Sequence, residues 1–300
     1  MPTLRVPTVK HMPALLFPAT LVALVTATGC SSMQESLRFE SETRSPYAWK
    51  VEAPVTAAAD DTTVVFVVLG GTLERRRDAP DPQALRIAAA ARRICGDGCD
   101  FSVVTGNALA SGGLKTEEDL TLLKRLVAAY TFAGPQFHVL GSQVGDTAHR
   151  VLHALSGWRH SHQTRGLAHF WRAGLARLGH MWGLDTDYLR HRSFSPRLRA
   201  LTALEHRAGW RIVVGHHGHT SLAATGPLAD LTISGDRPGA SLQKGLLNVG
   251  PRGGFARVTV KADSLLVEVF EVDAQSSTTR RVAVARKSQP RAAWQSLAVR

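Results

Sequence analysis

Cysteine is scarce in this chain, three in 300 residues, and no run of apolar residues is long enough to cross a membrane as a helix. The longest apolar stretch, 14–27, is short and broken by Pro18. Internal repeats are absent, and so is the polar low-complexity composition of disordered chains. There is no G-x-S-x-G elbow to present a serine nucleophile. The glycine pair before Thr72 is not followed by the lysine and hydroxyl of a phosphate-cradling P-loop. Acidic residues are outnumbered 24 to 36, for a formal charge of +12. Arginine supplies far more of that surplus than lysine. It suits a polyanionic partner, but GC-rich coding is the simpler source of so much arginine. What is present, 44% hydrophobic residues in 300, suffices for one large core or two modest domains.

The first thirty residues read as an address. Arg5 and Lys10 form a basic start, and 14–27 is an apolar h-region. It runs into Ala27-Thr28-Gly29-Cys30-Ser31, which resembles a bacterial lipobox. That resemblance implies a signal peptide over 1–29 and a lipidated Cys30. Ser31, rather than an aspartate, is similar to the outer-membrane sorting signal. The expected location is therefore the bacterial cell envelope, at the outer membrane and facing the periplasm. The expected anchor is the N-terminal lipid, with no spanning helix. Residues 30–61 are Ser-, Glu- and Ala-rich and read as a membrane tether. Cys95 and Cys99 remain, in CGDGC. In an oxidising compartment an even pair around two glycines is a candidate disulfide. A metal site there would have only two thiolate ligands.

The folded domain is read over 62–275. Residues 64–69 form a continuous apolar run, a buried strand that closes on Gly70-Gly71. Pro82 opens a helix through Arg93, with Leu85, Ala88 and Ala89 as its expected buried face. Residues 100–105 are the next strand, and the βαβ order implies parallel pairing. A second helix follows over 116–130, and a third strand over 136–140. The region 157–207 is a basic insert rich in His and Trp, with a strand near 181–184. Strands are then expected at 210–215, 228–234 and 245–249, and 255–260 with 265–272 alternates as an antiparallel hairpin. The remainder, 276–300, reads as a basic, irregular and peripheral tail. Five of these strands end at glycines: Gly70, Gly106, Gly141, Gly215 and Gly235.

The segments FVVLGGT, DFSVVTGNALASGG, FHVLGSQ, WRIVVGHHGHT and DLTISGD occur in that order at those strand ends. Together they resemble the calcineurin-like metallophosphoesterases, closest to the tartrate-resistant or purple acid phosphatase type. The resemblance covers roughly 62–273. It implies an α/β fold, a four-layer α/β/β/α sandwich of two mixed sheets flanked by helices. In that family the strand-end loops hold two metal ions that activate a water against phosphorus.

Compared position by position, this chain departs from the family's ligand set. Gly71 stands where an aspartate is expected, and Asn107 replaces the bridging aspartate. A neutral amide is a poor bridge between two cations. Ala110 replaces the tyrosine of purple phosphatases, and Ser142-Gln143 replaces an asparagine–histidine pair. His216 is retained with His217 beside it, and Asp236-Arg237-Pro238 stands in place of two histidines flanking one residue. Arg237 puts a fixed positive charge where cations would sit. The dinuclear mechanism is therefore not expected, and neither is a cofactor.

The leading expectation is a non-catalytic protein that binds an anionic envelope ligand through Arg237, His216 and His217, or docks an envelope partner on its insert. The alternative is a weak metal-dependent phosphoesterase holding a single divalent ion on His216 and Asp236. Other histidines (His160, His162, His169, His219) fit a solvated basic face better than a second site, and a serine nucleophile at Ser111 or Ser142 paired with one of the histidines stays open without a G-x-S-x-G elbow to support it. The tryptophans Trp158, Trp171 and Trp182 are better read as core than as a nucleic-acid surface. The exported address also argues against nucleic acid as a partner.

Overall fold

The computed structural model describes residues 62–71, 81–106, 136–139, 170–184, 186, 209–217 and 229–299, with the isolated positions 121, 125 and 128. The signal peptide, the tether and Cys30 lie outside these residues, as do Asn107, Gln143 and His219.

Two mixed sheets carry the fold. The first has the order β13-β12-β11-β10-β1-β2-β3 and the second the order β4-β5-β6-β7-β9-β8. In the first, β1 (Thr63–Leu69), β2 (Phe101–Val104) and β3 (Gln136–His138) run parallel. The hairpin β10 (Gly254–Lys261) and β11 (Leu265–Val272) joins β1 antiparallel. In the second, β5 (Gly179–Leu184), β6 (Trp210–Gly215), β7 (Leu231–Ser234) and β9 (Leu246–Val249) are parallel. Short antiparallel strands, β4 (Phe170–Gly174) and β8 (Ala240–Gln243), close its two edges.

The continuous apolar run of β1 is explained by burial on both faces. Val64, Phe66 and Val68 face the second sheet and pack with Ile212, Val214, Ile233 and Leu247. Phe66 stacks on Phe101 at 4.8 Å, and Phe101 meets Phe137 edge-on at 5.3 Å, so three strands share one aromatic column. Val67 and Leu69 face outward, where α1 (Pro82–Cys95) covers them. Asp81 caps that helix by accepting from the Gln83 backbone N–H at 2.9 Å, with Pro82 in the first turn.

The buried face of α1 differs from the expectation. It is Ala84, Ile87, Ala88, Ala90, Ala91 and Cys95; Ala88 lies where expected, while Leu85 and Ala89 point outward. Small alanines let the helix lie close on the sheet, and Ile87 and Cys95 fix its rotation. Cys95 is bonded to Cys99, their Cα atoms 5.3 Å apart, which ties the end of α1 to the start of β2. In the expected second helix the described positions Thr121, Arg125 and Ala128 are helical and exposed, one solvent stripe at i, i+4 and i+7.

Two further readings need correction. Part of the presumed insert belongs to the second sheet: β4 and β5 form a hairpin there, and Trp182 is buried. The presumed tail contains β12 (Thr279–Lys287), paired with β11 along its length, and the edge strand β13 (Gln295–Leu297). Several of the basic residues that made it look peripheral are paired with distant acids. Arg281 and Arg257 both bind the buried Glu268, at 2.9 and 2.6 Å, on the outer face of the first sheet, the face that also carries α1. Lys287, itself buried, contacts Asp230 of the second sheet at 2.9 Å. Asp230 also accepts from the Arg291 backbone N–H at 2.7 Å, and Trp294 Nε1 donates to the Asp230 carbonyl. The C-terminal segment thus clamps both sheets at one edge. Among the described residues no helix is long and apolar enough to cross a membrane.

Candidate functional site

The parallel strands of both sheets end on the opposite edge, where loops past strand carboxyl ends carry ligands in α/β proteins. Thr105, fully buried just past β2, is the hub there. Its N–H donates to Leu69 O at 3.0 Å, and its hydroxyl donates across the sandwich to Val249 O at 2.6 Å. Its carbonyl accepts from His216 Nδ1 at 2.9 Å. A carbonyl only accepts, so Nδ1 carries the proton. In the ring's neutral form the lone pair then sits on Nε2, the tautomer in which an imidazole can serve as base or ligand.

His216 is 3% exposed, and its ring meets that of His217 at 4.7 Å. The backbone N–H of His217 donates to the hydroxyl of buried Thr186 at 2.9 Å, which fixes the turn after β6. The β6 and β7 ends are joined by Gly235 N–H donating to His216 O at 3.0 Å. Asp236 and Arg237 follow directly, Asp236 half-buried and Arg237 exposed. The structure therefore brings His216, His217, Asp236 and Arg237 to adjacent strand ends.

Gly71 is buried just past the end of β1, an interior strand of the first sheet. Its neighbour Gly70 packs backbone to backbone against the second sheet. A Cβ added at Gly70 would stand 2.0 Å from Gly250 O, and one added at Gly250 would stand 1.6 Å from Arg237 O. The strand ends meet through bare backbone where a metal centre would need side chains between them.

The donor set of the described residues does not fit two metal ions. Two dications held a few ångströms apart require several carboxylates and imidazoles. The described strand ends offer two imidazoles, one carboxylate and a guanidinium. Among the described residues no three His, Cys, Asp or Glu side chains gather at a common point. Asn107 and Gln143, outside those residues, are amides and bring no charge.

Sequence reasoning missed two residues that shape this edge. Thr105 looked like an ordinary end of strand, since nothing local marks a hydroxyl that bonds across the sandwich. Asn248 lies in the apolar run 246–249 and is 6% exposed. A lone carboxamide inside such a strand, two residues before the Gly250-Pro251 turn signal, was the available clue.

No family model and no curated protein matches the chain by sequence. Solved structures do match in shape. A structure of PhoD aligns with a TM-score of 0.57 at 8% identity, over 80% of this chain and 72% of that one. Vps29 from Chaetomium thermophilum aligns at a TM-score of 0.40 and 12% identity, over 76% of this chain and all of the other, 100%. A predicted phosphoesterase from Streptococcus pneumoniae TIGR4 gives 0.34 and 13%, over 74% and 99%. The last two scores are too low to carry an argument. The likeness to PhoD does not single out the purple acid phosphatase type. With two mixed sheets whose parallel strand ends converge on one edge, it does establish that this chain has the calcineurin-like metallophosphoesterase fold.

Proposed function

We propose that this chain is a lipid-anchored protein of the bacterial envelope whose metallophosphoesterase-fold domain binds an anionic ligand at the strand ends and does not hydrolyse it. The observation that carries this reading is the Asp236-Arg237 turn set against the end of β6 by the Gly235–His216 hydrogen bond. A guanidinium presents a planar fork of donors to phosphate or carboxylate, and it disfavours a cation in the same place. His216 and His217 lie on the adjoining strand end and supply further donors when protonated. The address reading adds Cys30 as the lipid attachment, the outer membrane as the site and the periplasm as the compartment.

The test is a titration of tag-free, chelator-treated protein with inorganic phosphate and with phosphorylated envelope fragments. Binding that weakens about 30-fold in Arg237→Ala supports the reading, since a hydrogen bond to a charged group contributes about 2 kcal/mol. No binding by the wild type, or equal binding by the variant, overturns it.

A second reading is favoured by the same adjacency. His216 and Asp236 stand on neighbouring strand ends and could hold one divalent ion for weak phosphoester hydrolysis. Elemental analysis giving one metal per chain, with p-nitrophenyl phosphate turnover lost in His216→Ala, would establish that reading over the first.

A further inference from the structure

We propose that Asn248 is the positioning residue of the anion site, holding the backbone of Arg237 so that its guanidinium is presented from a fixed turn. The inference rests on the anion-binding reading above and deepens it.

Asn248 sits in β9, beside core residues Leu247 and Val249. A carboxamide has two donor hydrogens and two acceptor lone pairs, and here all four are used. Oδ1 accepts from the Arg237 N–H and from Ser234 Oγ, both at 3.3 Å. Nδ2 donates to Arg237 O at 3.0 Å and to Gly239 O at 3.2 Å. Three of the four bonds reach the turn 237–239, and Arg237 is gripped at both its N–H and its C=O. The side chain thus replaces the ladder partner that the chain loses on leaving β7.

The turn is also held from the other side. Gly239 N–H donates to Arg252 O at 2.8 Å, and Gly250 N–H donates to Gly239 O at 2.9 Å. The 1.6 Å approach between Arg237 O and the space above Gly250 leaves no room for the turn to sink further. Binding by a pre-ordered group avoids the cost of ordering it on contact. No other residue type makes this pattern at this length. Aspartate keeps the acceptor and loses both donors, leucine loses everything, and glutamine is one methylene too long.

The experiment is a double-mutant cycle read by phosphate titration under 31P NMR, which reaches millimolar affinities. Asn248→Ala is expected to weaken phosphate binding about tenfold in the wild-type background, the loss of roughly one or two net hydrogen bonds. In the Arg237→Ala background it is expected to cost no further affinity, while the melting temperature falls equally in both. Ser234→Ala removes the one Asn248 bond that does not reach the turn and should leave affinity unchanged. If Asn248→Ala does not fold, Asn248→Asp is read in the same two backgrounds. Wild-type protein that binds no phosphate overturns the anion reading and this inference together. Wild-type binding that depends on Arg237, with an Asn248 effect that is absent or equal in both backgrounds, overturns the positioning role alone.

Discussion

Replacing Gly250 by alanine tests the packing of the candidate site most sharply. The φ of Gly250 is not in the left-handed region, so alanine meets no intrinsic backbone penalty there. It would even gain about 0.4–1 kcal/mol by restricting the unfolded chain. The cost is steric. The new Cβ would lie 1.6 Å from Arg237 O and 2.5 Å from Arg237 C, both backbone atoms that cannot rotate away. Relief requires the 236–239 turn to move by more than about 1 Å, well over a tolerable packing adjustment. The Asn248 bonds to Arg237, at 3.0 and 3.3 Å, would then pass out of hydrogen-bond range. Overpacking costs about 1–3 kcal/mol and each net hydrogen bond about 1 kcal/mol. The balance is about 3 kcal/mol, or a fall in Tm of roughly 6–12 °C for a domain of this size. Phosphate affinity should fall with it. Gly239→Ala is the control: its added Cβ meets nothing within 4 Å, and its φ of 83° leaves only a conformational cost of about 1–2 kcal/mol. Differential scanning calorimetry of both variants decides the matter. A Gly250→Ala protein that melts within 2 °C of wild type and binds phosphate equally would refute the reasoning (a threshold set at about half a kcal/mol).

Three other outcomes are expected. Asp230→Ala should cost about 3–5 kcal/mol in urea unfolding, because it strands the buried Lys287 ammonium and the Arg291 amide; Lys287→Met should cost less, since Asp230 keeps Arg211 at 3.6 Å and two backbone amides. Equal losses in the two variants would contradict the clamp. Reducing the Cys95–Cys99 bond, which closes a loop of sequence separation 4, should destabilise by about 2 kcal/mol, read as a shift of the urea midpoint with and without reductant. Asp273 accepts hydrogen bonds from the Ser276 backbone and side chain and from the Gln275 backbone, which hold its carboxyl below the ordinary value of 3.8. Its contribution to the turn is therefore present above pH 3.8 and lost as pH falls through the lowered folded value; Ser276→Ala should move the carboxyl titration, followed by carbon NMR, back up.

The central elements were legible because their signals are local. The two-faced apolar run of β1, the alternation of β10 and β11, and the glycines closing β1, β6 and β7 all sit in contiguous sequence. The tail was misread because Arg281 and Lys287 look solvated until Glu268 and Asp230 appear beside them, and those partners are set by sheet order. The rotation of α1 was misread for a related reason. Four adjacent alanines at 88–91 satisfy several helical faces, and only the sheet and the Cys95–Cys99 bond choose among them. That the end of β1 carries Gly71 and the end of β7 carries Arg237, with no carboxylate at either position, is legible because each is a single letter of the sequence. The roles of Thr105 and Asn248 could not, since each depends on an atom contributed by the other sheet or by a turn that no period marks.

The central claim is that these strand ends hold an anion directly, through Arg237 and without a metal. Phosphate titration of the wild-type protein in the presence of excess chelator tests it most directly. The account predicts saturable binding that persists in chelator and is lost about 30-fold in Arg237→Ala. Binding that vanishes on chelation and returns with one equivalent of a divalent ion would contradict it.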